Sequence, residues 1–332
     1  MSTDILLEVE HLSIGFPTDS GLARTVEDVS FVLREGETLG IVGESGSGKS
    51  MTAMAIMGIL PKAAVVTGSI RFRGRELVGL SEDELREVRG RQIAIVFQDA
   101  LTALNPVMTV GDQLIEAVRV HRPDMSGEAR RARAIELLTL VGIPSPDQRM
   151  ARYPHEFSGG MRQRVMIGMS IANEPDLLIA DEPTTALDVT VQAQILDVLR
   201  EVQARTGTTV MLITHDLGVV AGSADRVLVM YSGGVVESAP VEPLFYETAH
   251  PYTAGLLASL PRLDRRSRDE RLFQIPGQPP VSTAWPPGCR FAPRCRYAIA
   301  GRCDVAVPPA VEVGDGHVAA CVRVGEWQVE AR

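Results

Sequence analysis

The residues Gly43-Glu44-Ser45-Gly46-Ser47-Gly48-Lys49-Ser50 follow the apolar run Thr38-Leu39-Gly40-Ile41-Val42, and a strand that runs into a glycine-rich loop is suited to holding phosphate. The glycines let successive backbone N–H groups curl around the α and β phosphates of a nucleotide. Lys49 can reach the β and γ phosphates, and the Ser50 hydroxyl can ligate Mg2+. Behind the loop, Met51 to Met57 reads as a helix whose positive end faces the same anion. An accidental Gly/Ser turn is the plain alternative, and the flanking strand and helix argue against it. The expected phosphate-binding residues are therefore Gly43, Ser45, Gly46, Ser47, Gly48, Lys49, Ser50 and Met51, with ATP and Mg2+ as the ligands.

A second apolar run, Leu177-Leu178-Ile179-Ala180, ends in Asp181 and Glu182. A buried strand that delivers an acid to a phosphate loop places Asp181 for the Mg2+ shell, and Glu182 where it can orient the attacking water. Between the two motifs, Ser158-Gly159-Gly160 opens the helical run Met161 to Asn173.

These groups need a scaffold, and the pattern supplies one. Leu6 to Phe16 and Val26 to Leu33 read as strands of a small antiparallel sheet. Thr38 to Val42, Ile93 to Phe97, Leu177 to Asp181, Thr209 to Thr214 and Arg226 to Tyr231, interleaved with helices, predict an α/β fold with a mainly parallel sheet covered on its faces. From about residue 100 to 173 the pattern is helical; Ile135, Leu137, Leu138 and Val141 form one stripe, and Arg130, Arg131 and Arg133 read as a solvated face. Beyond Ala249, prolines at 276, 279, 280, 286, 287, 293, 308 and 309 forbid long helices and central strands. The expected domains are 1–248, which binds nucleotide, and a small irregular 249–332, with the phosphate loop and the cysteines in different domains.

The chain has 332 residues, 45% of them apolar, and a formal net charge of -9. Length suggests about two domains with a sizeable core. The acidic balance argues against a nucleic-acid binder. No stretch approaches the roughly 20 apolar residues of a membrane span, and Met1-Ser2-Thr3-Asp4 does not open a signal peptide, so a cytosolic chain that docks on integral partners is expected.

Ser158-Gly159-Gly160-Met161 resembles the signature of ABC-type ATPases, here with Phe157 where Leu is commoner. Gln98 is similar to their Q-loop glutamine, Ala186-Leu187-Asp188 to their D-loop and His215 to their switch histidine. The resemblance narrows to the ATP-binding subunits of bacterial dipeptide and oligopeptide importers (the peptide/nickel group). It rests on Gln98 to Val110, Tyr153-Pro154-His155-Glu156-Phe157-Ser158, His250-Pro251-Tyr252-Thr253 and Ile275-Pro276-Gly277-Gln278-Pro279-Pro280. Ala100 departs from the Pro often found after Gln-Asp.

The resemblance implies catalytic roles for Glu182, His215 and Gln98, Mg2+ held by Ser50, Gln98 and Asp181, and adenine stacked on Phe16. It implies that Ser158, Gly159 and Gly160 act in trans on the ATP of a facing ATPase subunit, either a second copy or a related chain. Two permease subunits and, indirectly, an extracytoplasmic peptide-binding protein would be partners, with this chain peripheral on the cytoplasmic side of the inner membrane and no nucleic acid bound. The competing readings are a soluble ABC ATPase of nucleic-acid repair or translation, and an importer of another substrate such as nickel. The uninterrupted interval between phosphate loop and acidic strand, with one motif set, disfavours the soluble machine.

Cys289, Cys295, Cys303 and Cys321 all fall near the C-terminus, with five, seven and seventeen residues between successive members. Disulfides are disfavoured in a cytosolic chain, which leaves metal, redox chemistry or free thiols. Zinc sites usually use close cysteine pairs, absent here. Four thiolates also suit an iron-sulfur cluster. The resemblance, through Gly288-Cys289-Arg290-Phe291-Ala292-Pro293-Arg294-Cys295, implies a 4Fe-4S cluster, with zinc as the alternative.

Overall fold

The structure is a computed structural model that describes residues 4–19, 21–185, 187–260 and 273–327. Ala186 of the expected D-loop lies outside the described residues. Contacts divide the chain into two compact units: Met1–Leu6, Arg34–Thr38 and Gly79–Ile213 form one, and Leu7–Leu33, Leu39–Val78 and Thr214–Arg332 form the other. The border expected between residues 248 and 249 does not separate these units. The cysteine-bearing region and the phosphate loop share the second unit, because long-range pairing in space outweighs the change in composition along the chain.

In the first unit, strands Ile93–Val96, Leu177–Asp181 and Thr209–Thr214 run parallel, with Ile93 opposite Leu177 and Leu177 opposite Thr209. The last two strands are buried at every residue, which is why they read as continuous apolar runs and not as alternation. Helices Val110–His121, Gly127–Leu140 and Gly159–Ser170 bury Leu114, Val118, Leu137, Leu138, Val165 and Ile167. Each begins at a hydroxyl residue, Thr109, Ser126 and Ser158, whose side chain accepts a first-turn N–H. Such a cap contributes about 1 kcal/mol. The predicted stripe holds for Leu137, Leu138 and Val141, whereas Ile135 is half-buried. Arg133 is no solvated residue: its side chain is 12% exposed and bridges Glu136 and Glu174.

In the second unit, Thr38–Val42, counted from Leu39, pairs in parallel with Arg226–Tyr231. Gly234–Pro240 continues antiparallel, followed by His317–Ala319 and Val311–Gly314. A separate sheet orders Gly21–Arg34, Ile5–Thr18, Val65–Phe72 and Arg75–Glu76; the last two strands escaped the sequence reading.

The proline-rich tail is more regular than its composition suggests. It supplies the helix Pro251–Ala258, in which Tyr252 and Thr253 are fully buried, and two proline-free strands, His317–Ala319 and Val311–Gly314, that carry the sheet to its edge. Glu237, with a fully buried side chain, ties it in by accepting from the N–H groups of Ala249 and His250 and by pairing with His317 Nε2 at 2.8 Å. No helix of the described residues is long and apolar enough to cross a membrane.

Candidate functional site

The phosphate loop follows a strand with no exposed residue. Gly43 has φ 155°, and a Cβ there would lie 2.1 Å from the Met230 carbonyl oxygen, so only glycine lets the chain leave the strand at this angle. Gly48 has φ 102° and stands before the helix Lys49–Ile56, which has no side-chain cap and no acidic residue in its first turn. The helix therefore presents a positive dipole end with no acid to offset it, the electrostatic condition for phosphate. Lys49 is buried, and its Nζ donates to the carbonyls of Gly43 at 2.7 Å and Glu44 at 3.0 Å. Its ammonium is thus stationed inside the loop.

The same loop is held from the C-terminal region. The Tyr252 hydroxyl accepts the Glu44 N–H at 2.9 Å, and Arg294 donates to both oxygens of the Glu44 carboxylate at 2.7 and 3.0 Å. Nothing in the sequence announces a pair separated by 250 positions, and the motifs that contain Glu44, Tyr252 and Arg294 gave none of the three a role in holding the loop. Phe16 is half-buried in the strand Ile5–Thr18. His215 is exposed just past the strand Thr209–Thr214 and before the helix Leu217–Ala221, whose N-cap is Asp216.

In the first unit, Asp181 is the buried last residue of its strand. Glu182 has φ 48°, a left-handed backbone that a non-glycine residue adopts at some cost, held by its N–H bond to the Ile213 carbonyl at 2.9 Å. Its Oε2 accepts from the Gln98 amide at 3.0 Å and from the Thr185 hydroxyl at 2.8 Å. The structure so brings together two of the expected catalytic residues and adds Thr185, which sequence reasoning passed over because a threonine three residues past an acid carries no signal.

Ser158 caps the helix Gly159–Ser170, and Ser158 and Gly159 are exposed. A Cβ on Gly160 would lie 2.4 Å from Val191 Cγ1, so the second glycine is needed for packing. The exposed helix start, again without an acid in its first turn, is a surface that another molecule's phosphates can reach.

Comparison with known proteins bears on this arrangement. Residues 26–185 match the family model described as ABC transporter, and residues 236–303 match that of the oligopeptide/dipeptide transporter C-terminal region. The dipeptide transport ATP-binding protein DppD of Bacillus subtilis is 51% identical over 95% of this chain and 94% of its own length. The chain belongs to the family of oligopeptide and dipeptide ABC transporter ATP-binding subunits. OppD of Escherichia coli, another such subunit, is 49% identical over 96% of this chain and 94% of its own length. OppD of Mycobacterium tuberculosis is 54% identical, and the chain spans 52% of its length. Among solved structures, a dimeric bacterial ABC transporter cassette superposes with TM-score 0.63 at 29% identity, covering 71% of this chain and 98% of the other. The ABC fold read from the motifs is confirmed.

None of the four cysteines of this family member is in a disulfide, and all four line one pocket in the second unit, together with Phe291, Tyr297 and Trp327. Burial pushes Cys295 up to about 11 and raises Cys289 and Cys321, so these three stay protonated unless a cation draws the protons off. The Ile299 and Arg323 N–H groups donate to the sulfurs of Cys303 and Cys321, both at 3.4 Å. Among the described residues, no three His, Cys, Asp or Glu side chains stand as a ready-made site for a metal ion.

Proposed function

We propose that the chain is the ATP-hydrolysing subunit that energises import of dipeptides or oligopeptides across the cytoplasmic membrane. The observation that carries this reading is the joint presence of an ABC cassette match and a C-terminal match specific to peptide transporters, alongside relatives near 50% identity that are named as peptide-transport ATP-binding proteins.

Lys49 and the loop N–H groups take the β and γ phosphates, with Ser50, Gln98 and Asp181 as the proposed Mg2+ ligands. Glu182 orients water for in-line attack on the γ-phosphate, and His215 contacts that phosphate. Ser158, Gly159 and Gly160 receive the nucleotide of a facing subunit, so that ATP draws two subunits together and hydrolysis releases them. Two permease subunits turn this cycle into transport, and a peptide-binding protein outside the membrane delivers the cargo. Phe16 is the proposed adenine platform.

The cysteines we assign to a 4Fe-4S cluster. An apolar pocket, four convergent thiols and N–H groups directed at two sulfurs fit such a cluster, which takes its thiolates further apart than a single zinc ion does. When bound, the cluster supplies a cross-link for a tail that has little core of its own.

Purification of the tagged chain from membranes tests the reading. Permease subunits and a second ATPase in the eluate support it; recovery with ribosomes or nucleic acid, and no membrane protein, refutes it.

A further inference from the structure

The segment Cys289-Arg290-Phe291-Ala292-Pro293-Arg294-Cys295 begins and ends on two of the converging thiols, and both of its arginines reach the phosphate loop or the turn that supports it. Arg294 makes the bidentate pair with Glu44 already described, and its side chain is only 4% exposed. Its guanidinium also donates to the Pro276 carbonyl at 2.9 Å and to the Tyr231 hydroxyl at 3.3 Å. Arg290 lies 3.7 Å over the Trp285 ring, donates to the Ser232 carbonyl at 2.6 Å and pairs with Glu27. The neighbour of Ser232, Gly233, donates its N–H to the Ser47 carbonyl at 3.0 Å, inside the phosphate loop. Between the arginines, Phe291 packs on Tyr231 and Tyr252 with ring centres 5.3 and 5.4 Å apart, and Tyr252 is the residue that accepts the Glu44 N–H.

Glu44 is therefore gripped by backbone and by side chain from the cysteine-bearing region. A loop with three glycines loses much freedom when it closes on phosphate. Bracing it beforehand removes that cost from nucleotide binding. An arginine fork on a carboxylate, mostly shielded from water, is a directional brace and not a diffuse surface contact.

We propose that Arg290 and Arg294 are positioning residues for the phosphate loop, and that occupancy of the thiol site sets how firmly they hold it, so that loss of the cluster weakens ATP binding. The second half rests on the iron-sulfur reading above; the first half does not.

The test uses the full chain and three readouts: affinity for a fluorescent ATP analogue, backbone amide exchange over residues 43–49, and the thermal unfolding midpoint. Arg294→Ala is expected to weaken the affinity about tenfold and to speed exchange in the loop, with the variant still folded. Arg294→Lys should recover part of the loss. Glu44→Gln should act like Arg294→Ala, and the double variant should be no worse than the poorer single one, as partners in one interaction behave. Parent-like affinity and exchange in folded Arg294→Ala overturns the brace; should that variant not fold, Glu44→Gln carries the same comparison.

Iron is then removed from anaerobic protein with a chelator. The parent is expected to lose affinity to the level of Arg294→Ala, and Arg294→Ala to lose nothing more. Unchanged affinity in the stripped parent overturns the coupling, while the brace stands or falls on Arg294→Ala. Anaerobic protein that never held iron overturns the cluster reading and the coupling together.

Discussion

Gln98 donates its side-chain amide to Oε2 of Glu182 at 3.0 Å. The Thr185 hydroxyl meets the same oxygen at 2.8 Å, and the backbone of Glu182 is locked at φ 48°. The carboxylate is thus oriented by two donors and by its own main chain. Fixing a base before the substrate arrives is what a water-positioning role requires.

Glu182→Gln keeps the shape and removes the charge. Nucleotide affinity is expected to stay, with turnover of the assembled transporter reduced by about 100-fold or more. ATP-trapped dimers in size-exclusion chromatography would agree with this. Near-parental turnover would show that another group positions the water.

Gln98→Ala removes a donor from Oε2 of Glu182 and leaves the Thr185 hydroxyl. Turnover is expected to drop about tenfold, less than in Glu182→Gln because Thr185 still holds the carboxylate, with the ATP KM little changed. A large rise in KM with unchanged turnover would place Gln98 in ground-state binding.

His250 is buried and its pKa is pushed down to about 4, chiefly by burial, against the opposing pull of Glu237. Below about pH 6.5 the unfolded chain takes up a proton that the folded chain refuses until about pH 4, so stability is complete above 6.5 and declines as pH falls through this window. The loss approaches about 3 kcal/mol at its limit. Asparagine can still cap the helix Pro251–Ala258, whose Tyr252 N–H bonds to His250 Nδ1. Denaturant melts of His250→Asn at pH 7 and pH 5 are expected to differ less than those of the parent; equal differences would dismiss His250 as the titrating group.

Protein purified without oxygen is expected to be brown, with iron and sulfide released together on acid treatment. Cys295→Ser should lose the colour and expose residues 276–324 to protease, because a tail this rich in proline relies on its cross-link. One zinc and no iron would reverse the assignment.

The parallel strands, the phosphate loop, the acidic strand end and the capped signature helix were legible because each is a local pattern: a buried run, a glycine spacing, a serine before a helix. The tail was not. Proline density hid the helix Pro251–Ala258, and the three-residue strand His317–Ala319 exists through its partners Gly234–Pro240 and Val311–Gly314. The Arg294–Glu44 pair and the Glu237–His317 pair join positions 250 and 80 residues apart, a distance over which no sequence period carries information. Long-range contacts of the same kind place the tail and the loop in one compact unit, although composition changes near Ala249.

In the proposed cycle, ATP hydrolysis by this chain drives peptide import. Uptake of a labelled di- or tripeptide is measured in vesicles that hold the permease subunits, the partner ATPase and this chain, with ATP supplied on the side to which the ATPases are bound. Accumulation is expected to require ATP, to be stimulated by the binding protein and to disappear with Glu182→Gln. ATP hydrolysis by the same assembly without any peptide accumulation, or uptake undiminished by Glu182→Gln, would contradict it.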